Sequence, residues 1–533
     1  MLHIVIFVSG GAILALELLA SRIMTPYFGV SLYIWTGILS ITLLSLALGY
    51  WAGGRFASGP QGRTADGLTQ RYAMMPAVAA LSIVAACLAY PHVFSPLAGW
   101  SLIFGAFAAC MVLLFLPLVA TSAMNPLLVA ITLYRMERRT GDAGAGRVFF
   151  VSTIGSVAGV FVTAFGMTPY LSNFAATLAV ALALALLSLA MAFAPALRPA
   201  ARFRVGGTAM AAAAAALLLL WQADAYTGRL RPAAYAGRMW QVEASVGSLF
   251  GTVKILRSKP ETEGGEFLRI YFQDGLTQNT VDSNGRSMSF YTYALEALAR
   301  AYRPGMHSAL VLGLGAGIVP MQLARSAIAV DVVEIDSASL HVAQHYFGFD
   351  PARARIYHAD ARAFVRTCPE RYDVVVVDLF HGDGTPDYLV TREFFRDLKG
   401  CLAEDGVAVF NTFADLERPR SYAHLLATLQ SELPAIALYR PDWTRAVQLN
   451  SFVVAAPRAL PRPVKVTLDY VPAHHADTLW SMLANPRPVD QEMTDGGRIV
   501  TDALNAAAHD FALTQLGYRR SVVEAMPPAL LLN

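Results

Sequence analysis

"ALVLGLGAGIVPMQLARSAIAVDVVEID" occupies residues 309–336. Residues 309–312 are apolar, as a fully buried strand requires. Gly313, Gly315 and Gly317 then alternate, and Pro320 suits the first turn of a helix. A second apolar run ends at Glu334, 21 residues after Gly313. Glycines at such a turn let the backbone approach a ligand closely. A carboxylate at that distance accepts hydrogen bonds from ribose hydroxyls. The loop is GxGxG rather than the GxGxxG of dinucleotide sites, and no phosphate-binding Lys follows, which excludes a P-loop. The pattern points to a nucleoside ligand without a pyrophosphate, of the S-adenosylmethionine type.

Outward from this stretch, strand-like and helix-like segments alternate. "RIYH", "DVVVVD", "GVAVFNT", "AIALY" and "SFVVAA" read as further strands, and "SASLHVAQHYF" as a helix capped by Asp336 or Ser337. Runs such as Val374–Val377 fit a sheet covered on both faces. The class is α/β, Rossmann-like, with a mostly parallel doubly wound sheet. A small β element, "GTVKILRS", "FLRIYFQDG" and "GLTQNTV", precedes it. Asp360 and Asp378 each end a strand. With Gly313 and Glu334 they converge where ligands lie in open α/β sheets, outside the carboxyl ends of the strands.

Upstream the composition changes. The 533 residues are 55% hydrophobic and only 15% charged, and charge is sparse up to about residue 221. A bilayer core of about 30 Å needs about 20 helical residues. Stretches 2–23, 31–51, 72–90, 97–119, 148–167, 172–194 and 205–221 meet or approach that length. Residues 125–134 are too short to span alone and either extend the fourth helix or lie in the interface. Arg55, Arg63 and Arg71, then Arg135, Arg138, Arg139 and Arg147, then Arg198, Arg202 and Arg204 fall between alternate spans. Residues 91–96 and 168–171 carry no Lys or Arg. This asymmetry puts the N-terminus and the basic loops in the cytoplasm. Seven spans would set the soluble half outside, whereas six or eight would set it inside. The expected organisation is 1–222 membrane domain, 223–300 linker and β element, 301–460 Rossmann-like domain and 461–533 C-terminal extension.

The net charge of +3 and the lack of a basic stripe give no argument for nucleic acid. The four cysteines have neither metal-ligand nor disulfide-framework spacing, and no metal is expected. His341 and His345 read as a surface helix face, and His474-His475 as an exposed pair. Glu17 in the first span is a functional-site candidate by its cost in lipid, against pairing with Arg22. Gly49, Gly53, Gly54, Gly155 and Gly159 suit close helix packing.

"QDGLTQ" (273–278), "VLGLGAGIVP", "VVEID" (332–336), "HADARAF" (358–364) and "YDVVVVDLFHGDGTPDYL" (372–389) together resemble the spermidine synthases, or polyamine aminopropyltransferases. The multi-span N-terminal half resembles their membrane-fused bacterial branch. The resemblance implies a transferase of spermidine biosynthesis, with decarboxylated S-adenosylmethionine as co-substrate, no tightly bound cofactor and putrescine as acceptor. It implies that Asp378 handles the proton of the attacking amine. Gly313, Gly315, Gly317, Glu334, Asp360, Ala361 and Gln278 would hold the donor, and Asp274, Tyr291, His381 and Asp383 would meet the acceptor. The family carries Asp where Ala316 stands and a second Asp where His381 stands. A methyltransferase using S-adenosylmethionine is the alternative that Ala316 favours, and a transporter or sensor with a nucleoside-binding domain is a third. The expected location is the inner cell membrane, multi-pass, in contact with lipid. The soluble half is expected in the cytoplasm because the donor is cytoplasmic. A homo-oligomer is compatible with these readings.

Overall fold

The computed structural model describes residues 2–30, 32–59, 64–135, 141–193, 197–230, 233–260, 265–380, 384–444, 449–505 and 507–532. It divides into two compact units, Met1–Gly237 with Val522–Asn533, and Arg238–Ser521. Of the C-terminal extension 461–533, residues 461–521 fall in the second unit and 522–533 in the first.

The first unit carries, among the described residues, seven helices long and apolar enough to cross a membrane: Leu2–Phe28, Ile34–Ser58, Ala65–Trp100, Leu102–Tyr134, Ala145–Met167, Asn173–Ala192 and Pro199–Trp221. Residues 125–134 continue the fourth, after a π-helical stretch at Met111–Phe115. Residues 91–96, expected as a loop, are helical instead. The third helix runs through Pro91 and Pro96 to Trp100, because a proline removes one hydrogen bond without ending a helix that its neighbours support. The first and fifth helices meet through small residues. A side chain at Gly155 would strike the backbone of Phe7, and one at Gly159 the backbone of Gly11, the close approach that small residues permit in lipid. Gly49 and Gly53 face Ser122 and Ala123 in the same way, whereas Gly54 faces open space. Ser156 Oγ donates to the Gly10 carbonyl at 2.9 Å across the first contact. Arg22 Nε donates to Asn173 Oδ1 at 3.1 Å.

The second unit holds two sheets. Strands β2 (Arg238–Ser248), β3 (Gly251–Ser258), β4 (Leu268–Gln273) and β5 (Leu276–Asp282) form an antiparallel meander. They follow β1 (Ala233–Tyr235), which lies in the first unit. Next come β6 (Ser308–Leu312), β7 (Ala329–Glu334), β8 (Arg355–His358), β9 (Tyr372–Val377), β10 (Leu402–Ala414), β11 (Ala435–Tyr439), β12 (Leu449–Ala456) and β13 (Arg487–Pro488). These eight form one sheet in the order β13-β11-β12-β10-β9-β6-β7-β8. The pairs β10·β9, β6·β9, β6·β7 and β7·β8 are parallel, while β10·β12, β11·β12 and β11·β13 are antiparallel. The parallel core reverses direction of winding between β6 and β9, which opens a crevice at their carboxyl ends.

The alternation of side chains explains the apolar strands. Val311, Val374, Val376 and Val409 pack on one face, and Leu310, Leu312, Val375, Val377 and Phe410 on the other. Both faces are covered, as the unbroken valine runs require. Asp336 caps the helix Ser337–Phe347 by accepting from Ala338 N. Cys368 and Cys401 form a disulfide, a single bridge where the spacing suggested no disulfide framework. Their separation of 33 residues leaves no local spacing from which to read it. His475, expected exposed, is half-buried. Its Nε2 stands 2.9 Å from the Met288 carbonyl, against the rings of Phe290 and Tyr293.

Candidate active site

The loop after β6 is built on positive φ angles, +95° at Gly313, +51° at Gly315 and +76° at Gly317. At Gly313 a side chain would strike the carbonyl of Asp378, so glycine is what lets the loop lie against the end of β9. Gly317 caps the helix Ile318–Ala324 and sits against Phe349, which a Cβ would approach to 2.7 Å.

Glu334 braces this loop. Its Oε2 accepts from Leu314 N at 3.0 Å and its Oε1 from Asp336 N at 2.8 Å. Burial raises its carboxyl above the ordinary value, and the hydrogen bonds from Asp336 and Leu314 oppose the rise. Asp360 caps the helix Ala361–Arg366, its Oδ1 accepting from Arg362 N at 2.6 Å. Asp378 follows β9, held by its own N–H to the Leu312 carbonyl at 3.0 Å. Its side chain lines the cleft. Enclosure by protein pushes its carboxyl up to about 6, with the hydrogen bond from Asn411 pulling the other way. Tyr291 Oη accepts from Asn279 Nδ2 at 3.2 Å. Burial, and then the charge of Asp378, raises that phenol above its usual range.

These groups share one cleft of about 460 Å³. Gly313, Gly315, Glu334, Asp360, Ala361, Asp378, Gln278 and Tyr291 all line it. Asp274 is placed elsewhere. It and Gly275 have φ of +48° and +90° in the β4–β5 turn, the backbone that Asp-Gly favours in a tight hairpin. Its Oδ1 accepts from Thr252 N at 2.9 Å, and Arg519 Nη1 donates to its carbonyl at 2.8 Å. It is therefore a brace of the β element. Ala316 is buried among Val253, Ile255, Tyr271 and Val342, so the position that is acidic in the resembled family faces an apolar cluster. His381 and Asp383 lie outside the described residues.

The cleft also has walls that the sequence reading missed. Asn411 Nδ2 donates to Asp378 Oδ1 at 2.8 Å, and Asn450 Nδ2 donates to Asn411 Oδ1 at 2.9 Å. Phe380 meets Phe413 at 5.0 Å between centroids, and Phe413 meets Tyr518 at 5.4 Å. Two of these carried a signal, Phe380 as an aromatic next to Asp378 and Asn411 as a polar residue closing the apolar run "GVAVF". Four carboxylates, Glu334, Asp336, Asp360 and Asp378, line the cleft, and none of its described lining residues is Lys, Arg or His.

Residues 288–438 match the Spermine/spermidine synthase domain. The match lies within the second unit. The polyamine aminopropyltransferase of Vibrio vulnificus (strain CMCP6) is 34% identical to this chain over 149 residues, 27% of this chain and 49% of that one. The N-terminal histidine N-methyltransferase of Emericella nidulans is 31% identical over 241 residues, 40% of this chain and 42% of that one. A probable spermidine synthase from Corynebacterium glutamicum ATCC 13032, known as a crystal structure, is 18% identical, with a TM-score of 0.40 over 50% of this chain and 98% of that one. The chain spans about half the length of the curated relatives it matches.

Proposed function

We propose that the second unit transfers the aminopropyl group of decarboxylated S-adenosylmethionine to an amine, with putrescine as acceptor, giving spermidine and methylthioadenosine. The charge of the cleft carries this reading. Its four carboxylates meet no Lys or Arg among its described lining residues. A donor with a sulfonium and an ammonium suits that field, whereas the carboxylated donor adds a negative charge that the acids repel. The amine nitrogen attacks the carbon beside sulfur, the carbon–sulfur bond breaks, and its electron pair neutralises the sulfonium. The amine proton passes to Asp378. The substrate is already activated, so the protein contributes mainly position and a base near neutrality. Glu334 would accept from the ribose hydroxyls, Gln278 would meet the donor, and Tyr291 would border the amine.

Methyl transfer is the second reading. It is favoured by the similarity to a histidine N-methyltransferase over 241 residues. Mass spectrometry of products from the full-length protein separates the two. Decarboxylated S-adenosylmethionine with putrescine is expected to yield spermidine and methylthioadenosine. Release of S-adenosylhomocysteine from the carboxylated donor, with no methylthioadenosine from the other, overturns the aminopropyl reading.

We further infer that this unit works on the face of the membrane opposite the basic loops. Arg198, Arg202 and Arg204 mark the cytoplasmic side by their charge, and the helix Pro199–Trp221 then crosses once more. The Cys368–Cys401 disulfide fits an oxidising compartment, since such bonds are rare in the cytosol. Donor supply alone argues for the cytoplasm. A C-terminal alkaline phosphatase fusion is expected to be active. Fluorescence of a C-terminal green fluorescent protein fusion, with an inactive phosphatase, overturns this placement.

A further inference from the structure

Asp378 is a carboxylate enclosed by protein and met by one side-chain amide, Asn411, which is itself met by another, Asn450. The strands dictate this chain. In the antiparallel register Phe413 stands opposite Asn450 and Asn411 opposite Phe452. Asn450 is thus the diagonal neighbour of Asn411 on the same sheet face, within reach of a side chain. Asp378 follows Val377, which pairs with Phe410, so the end of β9 brings the carboxylate beside Asn411.

We propose that Asn411 and Asn450 act as a one-way amide relay that positions Asp378, fixing a donor on one of its oxygens and leaving the other for the proton of the acceptor amine. This rests on the reading of Asp378 as the proton acceptor. The direction follows from chemistry. An ionised carboxylate only accepts, so it must face the NH₂ of Asn411, not its carbonyl. Asn450 donates to that carbonyl and removes the reason for the Asn411 amide to turn over. A neutral relay stabilises the charged form of Asp378 without adding a cation, which would repel a cationic donor and amine. Among the described residues, the other titratable groups that face this space are Tyr291, Glu334, Asp336, Asp360, Tyr388, Tyr518 and Tyr271. All are acids or phenols, so none of these places a positive charge beside Asp378.

The test reads Asp378 directly. Infrared difference spectra of the full chain in lipid nanodiscs, with D378N as the blank, follow its carboxyl band against pH. The wild-type midpoint is expected near about 6. In N411L, which keeps the volume and removes the donor, it is expected to rise by about one pH unit, the size of a lost hydrogen bond to a charged group. In N450A a smaller rise is expected, because the Asn411 amide is then free to turn. The acid limb of kcat/KM for putrescine is expected to move with the midpoint in both variants, which loss of fold alone would not produce. An unmoved midpoint in N411L overturns the relay. Should N411L fail to fold, N450A leaves Asp378 and Asn411 intact, and an unmoved midpoint there overturns it equally. A midpoint that moves in a protein without aminopropyl turnover would defeat the aminopropyl reading and leave the relay standing.

Discussion

Asn in place of Asp378 is expected to slow turnover by about 10³-fold and to make the protein more stable at neutral pH. The two effects share one cause. Enclosure raises the Asp378 carboxyl from its ordinary 3.8 to about 6, so the folded state holds a proton that the unfolded chain releases. A raised carboxyl favours the fold at low pH, and that support is lost as pH rises from about 4 through about 6. Above that window the ionised group costs at most about 3 kcal/mol. Asn carries no charge, and its carbonyl accepts the Asn411 NH₂ that now meets Oδ1 at 2.8 Å. The melting temperature of D378N is therefore expected to exceed that of the wild type by about 5 °C at pH 8. Near pH 4 the two should converge. Turnover needs the charge that folding penalises. A positioned base contributes about 10²- to 10⁴-fold, so kcat is expected to fall by about 10³-fold while methylthioadenosine still binds. In the wild type, kcat/KM should rise with pH through about 6 and level off. Wild-type turnover in D378N, or a variant less stable than the wild type at pH 8, contradicts this account.

The fold was legible because its information is local. The valine runs report a sheet covered on both faces, and the glycine loop and strand-end acids inherit their place from the sheet order. Gly313, Glu334, Asp360 and Asp378 meet because parallel strands end on the same edge. Asn450 and Tyr518 were not legible, since each reaches the cleft by a tertiary path that no spacing announces. Asp274 shows a different limit. Its motif resembles that of a cleft residue, yet Asp-Gly is also a hairpin turn, and here the side chain bonds back to Thr252. Ala316 was read as space for a ligand group. Its burial among Val253, Ile255 and Tyr271 shows that an apolar cluster takes up that side of the loop. The disulfide and the proline-bearing end of the third helix were hidden because each depends on what the rest of the fold brings alongside.

Gln in place of Glu334 is expected to be as damaging as Ala, although it is nearly the same shape. Both oxygens of Glu334 are engaged by the backbone, Oε2 from Leu314 N at 3.0 Å and Oε1 from Asp336 N at 2.8 Å. The amide nitrogen of Gln only donates. Whichever way Gln turns, it sets an NH₂ against one of those N–H groups. The Leu314 contact pins the glycine loop, and the Asp336 contact aligns the start of the helix Ser337–Phe347. A misfit at 334 therefore loosens the loop and also removes the charge that would receive a ribose diol. Two hydrogen bonds to a charged acceptor are worth about 3 kcal/mol together at the lower end of their range, which is about 100-fold in affinity. Calorimetry with methylthioadenosine is expected to give a Kd about 100-fold weaker for both E334Q and E334A. Asp at this position keeps the charge but falls one methylene short of the two N–H groups, and an intermediate loss is expected. Wild-type affinity in E334Q would mean that the carboxylate neither braces the loop nor meets the nucleoside, and the donor would then have to lie elsewhere in the cleft.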